Sequence, residues 1–261
     1  IGIGGIGMSA IAKILFQKGF KISGSDQNEN LIIKDLKKKG VKVFLNHSTS
    51  NVNDVDIVVY SSAINKNNVE LKAAKKRKIP IFSRAMMLAE VMRLKPSITV
   101  AGSHGKTTTT SLIACIFENA GLDPTVINGG IINSIGANAK LGDGKFIIAE
   151  ADESDGSFTL LPSTIGIINN IDLEHLDFYK SIDEIKKVFI EYAEKIPFYG
   201  FLCVCNDDKN SKSIIKYIKS KPIITFGTSE SSNFIAKNIK TLKNSISSFD
   251  ICINFKSKKM F

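Results

Sequence analysis

At 261 residues the chain is long enough for two domains that each bury a core, and its 43% hydrophobic and 23% charged composition is that of a soluble globular protein. No run approaches the roughly 18 apolar residues of a membrane span, so membrane insertion is set aside. The net charge of +10 raises nucleic acid as a partner, but arginine occurs only at Arg77, Arg84 and Arg93, and no basic stripe is interleaved with aromatics. The expectation is a solvated lysine-rich surface compatible with an anionic phosphorylated substrate, and no nucleic acid. Cys115, Cys203, Cys205 and Cys252 form neither a redox pair nor a zinc pattern. They read as core or near-core thiols in a reducing, cytoplasmic compartment.

The chain opens on Gly2-Ile-Gly-Gly-Ile-Gly7, a G-x-G-x-x-G turn followed by helical periodicity to Gln17 and a stop at Gly19. Glycines there permit a tight turn and close approach of backbone to a phosphate. A strand over Phe20 to Ser23 leads to Asp26, where a dinucleotide fold places its ribose contact, so a nicotinamide or flavin site is one reading and structural glycines are another. Helix and strand then alternate: helix Asn30 to Lys39, strands Val41 to Leu45 and Asp56 to Tyr60, helix Asn67 to Lys78, strand Ile79 to Phe82. This is the grammar of an open parallel sheet with helices on both faces. Ser61 and Ser62 lie just past a strand's C-terminal end, where such sheets bind ligands. His47 sits in a polar loop, and position alone assigns it no role. A helix from Arg84 to Arg93 and Lys95-Pro96 mark a domain boundary near residue 95.

A second unit starts over at Ile98 to Ala101, a buried strand ending in Gly102-Ser103-His104-Gly105-Lys106-Thr107-Thr108, with a helix over Thr108 to Ala120. Strand, glycine-bearing turn and helix make a phosphate cradle, in which Lys106 adds a point charge to the outer phosphates and the Thr107 hydroxyl can join a magnesium shell. Val100 stands where the standard G-x-x-x-x-G-K-[ST] string has its first glycine. Another strand ends in Asn128-Gly129-Gly130, and Lys145 to Ala149 ends in Glu150-Ala-Asp-Glu-Ser-Asp155. Carboxylates at a strand's C-terminal end beside a phosphate loop suit a magnesium ligand. A strand over Thr164 to Ile168 precedes His175, set among Asp172, Glu174 and Asp177, as a metal- or phosphate-binding histidine would be. Helix, strand, helix, strand and a two-stranded hairpin complete the pattern. Both ends read as cut: the first residues resemble the tail of a strand, and the chain stops directly after the alternating pattern of Phe249 to Phe255.

Together, G-I-G-G-I-G-M-S, S-S-A-I at 61–64, A-G-S-H-G-K-T-T-T-T at 101–110, N-G-G at 128–130, A-E-A-D-E-S-D-G-S-F at 149–158 and N-I-D-L-E-H-L-D at 170–177 resemble the Mur ligases across nearly the whole chain, in family order. The short phosphate loop is the form this family uses. The resemblance implies a Rossmann-like UDP-substrate domain over 1–95, a P-loop-type α/β ATPase domain over 96–261, and a third domain absent from this chain. It implies ATP-dependent ligation of L-alanine to UDP-N-acetylmuramate through an acyl phosphate, with ATP and magnesium and no NAD. Gly102 to Thr108 would hold ATP. Lys106, Glu150 and His175 would be catalytic. Thr107, Glu150 and His175 would bind metal. Gly4, Gly5, Ile6, Gly7, Ser61, Ser62, Asn128, Gly129 and Gly130 would face the UDP-sugar substrate. Glu174 stands where the family commonly has aspartate. The carbamylated lysine of some relatives falls near Ile190, so none is assigned. A tripeptide-recycling ligase, a nicotinamide dehydrogenase and a non-catalytic nucleotide-binding module are the alternatives, and this chain alone is expected to bind nucleotide weakly without ligating.

Overall fold

In the computed structural model, described over residues 1–132, 137–154, 156–241 and 247–255, β and α elements alternate in the order read from the sequence. Helix α1 (Ile6–Gln17) ends where Gly19 takes φ +89°, a conformation glycine adopts without strain. Strand β1 (Ser23–Ser25) starts later than the Phe20 to Ser23 pattern suggested. Helix α2 (Leu31–Lys38) is capped by Asn30, whose side chain accepts the Ile33 N–H at 2.9 Å. Strands β2 (Lys42–Phe44) and β3 (Val58–Tyr60) are followed by α3 (Val69–Lys76), β4 (Ile81–Ser83) and α4 (Arg84–Met92), with Asn68 and Ser83 as caps. Then come β5 (Ser97–Ala101), α5 (Lys106–Asn119), β6 (Thr125–Ile132), β7 (Ala137–Lys140), β8 (Ile147–Glu150) and β9 (Ile165–Ile168). The last elements are α6 (Ile182–Glu194), β10 (Phe201–Cys205), α7 (Lys209–Ile214), β11 (Ile223–Gly227), β12 (Phe234–Thr241) and β13 (Ser247–Ile253). Strand β7, Ala-Asn-Ala-Lys, is four residues long and its only apolar residues are alanines, which favour strands weakly, so it does not stand out in the sequence. The helix expected from Asp208 to Ser220 is shorter, because the turn tightens to 3-10 geometry at Ile215–Tyr217.

Chain compactness groups Ile1–Ser97 with Thr107–Glu150 and, separately, Ile98–Lys106 with Ala151–Phe261. In the first unit β1 pairs in parallel with β2, β3 with β4, and β6 with β8, while β7 runs antiparallel to β6. Residues 1–3 carry no strand assignment, yet they bridge the first two pairs: Gly2 and Ile3 give their N–H groups to Ser25 O, and Ile1 O accepts from Ser61 N. Two apolar clusters close this region, one around Ile3, Ala12, Leu36 and Val41 and one around Val52, Val58 and Ala74. In the second unit β5, β9, β10, β11 and β12 pair in that order, all parallel, and β13 closes the edge antiparallel to β12. The result is the expected mixed α/β architecture, parallel in most of its strand pairs.

Thiol burial differs from the expectation. Cys115 and Cys252 are exposed, on faces of α5 and β13 that nothing among the described residues covers, while Cys203 and Cys205 are half-buried. Burial pushes the Cys203 thiol up to about 11, which leaves it a poor nucleophile at neutral pH. No helix among the described residues is long and apolar enough to cross a membrane.

The second unit's core holds a polar knot. Tyr192 on α6 is 1% exposed and shares hydrogen bonds with Thr99 on β5, whose hydroxyl also donates to Ser163 Oγ at 2.6 Å. Burial raises the Tyr192 phenol from 10.0 to about 12, against the opposing effect of its hydrogen bonds to Thr99 and Ser163. The folded state therefore holds this proton more tightly than the unfolded chain. The stability it contributes is fully present below pH 10 and is lost as pH rises toward about 12. Tyr192→Phe is expected to lower stability by about 1 kcal/mol at pH 8 through the lost hydrogen bonds and to lose less stability between pH 10 and 12 than the wild type. Urea denaturation across that pH range measures both effects.

Candidate active site

The phosphate loop grows out of the buried strand β5. Gly102 has φ +141° and Gly105 φ +77°, conformations that a side chain strains to adopt. A Cβ on Gly102 would also lie 3.1 Å from Asn169 Cβ and 3.2 Å from the Asn170 backbone. The turn after β9 clamps the loop from one side. Asn169 N bonds Ala101 O at 3.0 Å, and Asn170 O accepts the Ser103 N–H at 3.2 Å. Asn170 Oδ1 takes the His104 N–H at 2.7 Å, its Nδ2 donates to His104 O at 3.2 Å, and Ser103 Oγ accepts the Asp172 N–H at 2.8 Å. With the Ser103 and His104 amides so engaged, the loop amides open to an anion are those from Gly105 onward, at the start of α5.

Lys106 turns back into this loop. Its Nζ donates to Gly102 O at 2.7 Å and to Ser103 O at 3.3 Å, and it straddles the Glu153 carboxylate at 3.0 Å from Oε1 and 2.9 Å from Oε2. Glu153 is 2% exposed, and Tyr179 Oη donates to its backbone carbonyl at 2.7 Å. His175 Nε2 approaches Glu153 Oε1 at 3.5 Å. His175 itself has φ +55°, in the left-handed region where non-glycine residues are uncommon and often functional. Donor atoms of Glu153, Glu174 and His175 lie within 4.8 Å of one another, a donor set able to hold a divalent cation. The His104 ring lies between two further carboxylate contacts, Nε2 at 3.3 Å from Asp172 and Nδ1 at 3.5 Å from Glu174.

Glu153 and Asn170 are the residues that sequence reasoning left without a role, although both lie inside the quoted motifs. The signals were an acidic run with more than one carboxylate and an asparagine doublet directly after a strand. Asp155 of the same acidic run lies outside the described residues. Glu150 closes β8 half-buried, and Thr107 and Thr108 are exposed on the first turn of α5. Asn128 is 2% exposed on β6 and donates to Ser111 Oγ at 3.1 Å and to Thr107 O at 3.4 Å, tying β6 to the start of α5. Gly129 and Gly130 continue β6.

The glycine-rich turn is held by its own contacts. Gly4 N donates to Asp26 Oδ2 at 2.8 Å, Asn30 Nδ2 donates to Gly4 O at 3.1 Å, and Gly5 caps α1, whose first residues are Ile6 and Gly7. Asp26 also accepts from Gln27 and Asn28 N–H through Oδ1, so its two oxygens bind this protein's own backbone. Ser61 is brought to the turn, its Cβ 3.1 Å from where a Gly2 Cβ would stand, while Ser62 is exposed. Arg84, at the start of α4, lies against Gly7, with Nη1 3.1 Å from the position of a Gly7 Cβ. It is a cation at the glycine turn that the sequence reading did not single out.

A glycine-bearing loop on a parallel strand, with a lysine, a buried carboxylate and a histidine gathered at it, has the architecture of the α/β proteins that cradle phosphate. A model of the Mur ligase family catalytic domain matches residues 1–96, and one of the Mur ligase middle domain matches residues 100–260. The chain belongs to the Mur ligase family. It is 53% identical over 255 residues to a UDP-N-acetylmuramate–L-alanine ligase of Rickettsia bellii, covering 97% of this chain and 53% of that one, and 54% identical to the corresponding protein of Rickettsia felis. The chain thus spans about half the length of the curated relatives it matches. Among solved structures, the UDP-N-acetylmuramate–alanine ligase of Thermotoga maritima superposes with TM-score 0.79 at 28% identity, over 92% of this chain and 54% of that one. A tripeptide ligase from Neisseria meningitides shares the fold, with TM-score 0.87 at 24% identity, over 97% and 82%.

Among the described residues, removing Lys106 leaves buried Glu153 with only His175 as an ion-pair partner. Lys106→Met is expected to destabilise the protein by about 2 kcal/mol, and Glu153→Gln in the same chain to recover part of that loss. Chemical denaturation of the two single variants and the double variant measures the coupling.

Proposed function

We propose that this chain is the nucleotide-sugar- and ATP-binding part of a ligase that joins L-alanine to the carboxylate of UDP-N-acetylmuramate, a step in supplying peptidoglycan precursors. The observation that carries the reading is the Lys106–Glu153–His175 cluster at the base of the phosphate loop, in a chain more than half identical to ligases of that name. Residues 1–95 would take the UDP substrate on the glycine-rich turn, with Gly4 to Gly7, Ser61, Ser62 and Arg84 about the diphosphate. Residues 96–261 would take ATP on Gly102 to Thr108, with Asn128 to Gly130 toward the muramoyl side.

The substrate carboxylate oxygen attacks the terminal phosphorus, ADP leaves, and an acyl phosphate forms. The alanine amine then attacks the acyl carbon, the C–N bond forms, inorganic phosphate departs and the amine gives up a proton. Lys106 serves the first step by carrying positive charge to the phosphoryl oxygens. Its bonds to Gly102 O and Ser103 O keep the ammonium at the mouth of the loop, and Glu153 holds it there before nucleotide arrives. Asn170 holds the loop in the shape that presents the amides from Gly105 on. Magnesium, when bound, would neutralise phosphate charge; by family resemblance Thr107, Glu150 and His175 would hold it, and Glu153 and Glu174 are the donors grouped with His175. The tripeptide-recycling reading is supported by fold likeness alone, and the L-alanine reading by sequence identity as well.

Separate calorimetric titrations with UDP-N-acetylmuramate, ATP–magnesium and NADH test this. Saturable binding of the first two is expected, with loss of ATP–magnesium binding in Lys106→Ala. Binding of NADH and not of the UDP sugar would overturn the reading. The chain as given is further expected to release no phosphate in response to L-alanine, since it spans about half of its relatives' length. Alanine-dependent phosphate release by the purified chain would show that the remaining half is dispensable.

A further inference from the structure

Glu70, on the first turn of α3, is 1% exposed and has no part in the chemistry above. Three donors converge on its carboxylate. Ser25 Oγ and His47 Nδ1 donate to Oε2 at 2.6 and 2.8 Å, and Asn51 Nδ2 donates to Oε1 at 2.7 Å. A buried carboxylate is costly unless it is so satisfied, and here the donors come from two separate segments, the end of β1 and the stretch that follows β2. Ser25 links the cluster to the glycine-rich turn, because its carbonyl accepts the N–H groups of Gly2 at 2.8 Å and Ile3 at 3.1 Å. The next residue, Asp26, accepts the Gly4 N–H. Ser25 ends β1 and His47 follows β2. These strands are parallel, so both residues stand at the C-terminal edge, where open α/β sheets receive ligands. A carboxylate accepting at Nδ1 places a proton on that nitrogen, which in a neutral ring makes Nε2 the acceptor.

We propose that Glu70 is a positioning residue of the nucleotide-sugar site: through Ser25 it fixes the glycine-rich turn, and through His47 it sets an acceptor nitrogen at the same strand edge for a hydroxyl or N–H donor of the nucleoside. The proposal rests on the reading of residues 1–95 as the UDP-substrate region. Glu70→Gln is the informative change. Its amide oxygen can keep the bond from Asn51, but its NH2 then faces Ser25 and His47, so both must accept. That inverts the His47 tautomer with little change in volume.

The test uses the purified 261-residue chain, with UDP and ATP–magnesium as calorimetric probes and 1H–15N NMR of the free protein. In Glu70→Gln the amide resonances of Gly4, Gly5 and Gly7 are expected to shift, and His47 Nε2 to move from the acceptor to the protonated range. UDP affinity should fall about tenfold, the scale of a broken buried hydrogen-bond network, with ATP–magnesium affinity unchanged. Ser25→Ala, which removes one donor and keeps the carbonyl, should give the same selective loss and serves if Glu70→Gln does not fold. Unmoved glycine amides overturn the proposal, as does an equal loss of UDP and ATP binding. If the wild-type chain binds no UDP while the glycine amides still shift in Glu70→Gln, the functional reading fails and the positioning role stands.

Discussion

The ion pair between Lys106 and Glu153 is the constraint around which the phosphate loop is arranged. A carboxylate buried to 2% exposure needs a charge partner, and the loop supplies it in Lys106, whose ammonium also donates to Oε1. The same ammonium ties Gly102 and Ser103 carbonyls together, so one side chain satisfies a buried charge and shapes the turn. The loop is further held by Asn170, through backbone and side chain at once. An anion arriving at this loop meets groups already oriented, which is what electrostatic stabilisation of a transferring phosphoryl group requires.

The first unit repeats the device with side-chain hydrogen-bond partners in place of the lysine. Glu70 gathers Ser25, His47 and Asn51, and Ser25 passes the constraint on to the glycine-rich turn by its carbonyl. In both places a glycine-bearing loop is held by a buried carboxylate drawn from a distant part of the sequence. Glycine gives the backbone freedom to approach a phosphate, and that freedom has to be removed by something outside the loop.

Much of the fold was legible because the strands and helices announce themselves locally. Asn30, Asn68, Ser83 and Ser181 each stand at a helix start with the side chain accepting a first-turn amide, and Gly19 and Gly40 follow helix ends with positive φ. The run Ile98 to Ala101 is buried throughout, as a parallel strand covered on both faces should be. The exceptions have physical reasons. Strand β7 is short and has only alanine for its apolar positions, and β1 contains serine and glycine in place of the apolar residues that precede it. Cys115 looked like a core residue because it lies in an apolar stretch, but only Thr110 and Ala114 of that helix are buried, so its neighbours share an exposed face.

The sequence by itself determined the family, the order of every element but β7 and the short 3-10 turns, and the location of both glycine-rich loops, since these depend on residues close together in the chain. Only the tertiary structure decided which carboxylate meets the loop lysine. Glu150, Asp152 and Glu153 are equivalent as text, and what separates them is the direction of the chain as it leaves β8: Glu153 turns inward to Lys106 and His175, its carbonyl pinned by Tyr179. In the same way only the fold shows that Asp26 accepts from the backbone of Gly4, Gln27 and Asn28. His47 carried no signal at all, because a histidine in a polar loop acquires a role only when a glutamate 23 residues away is folded against it.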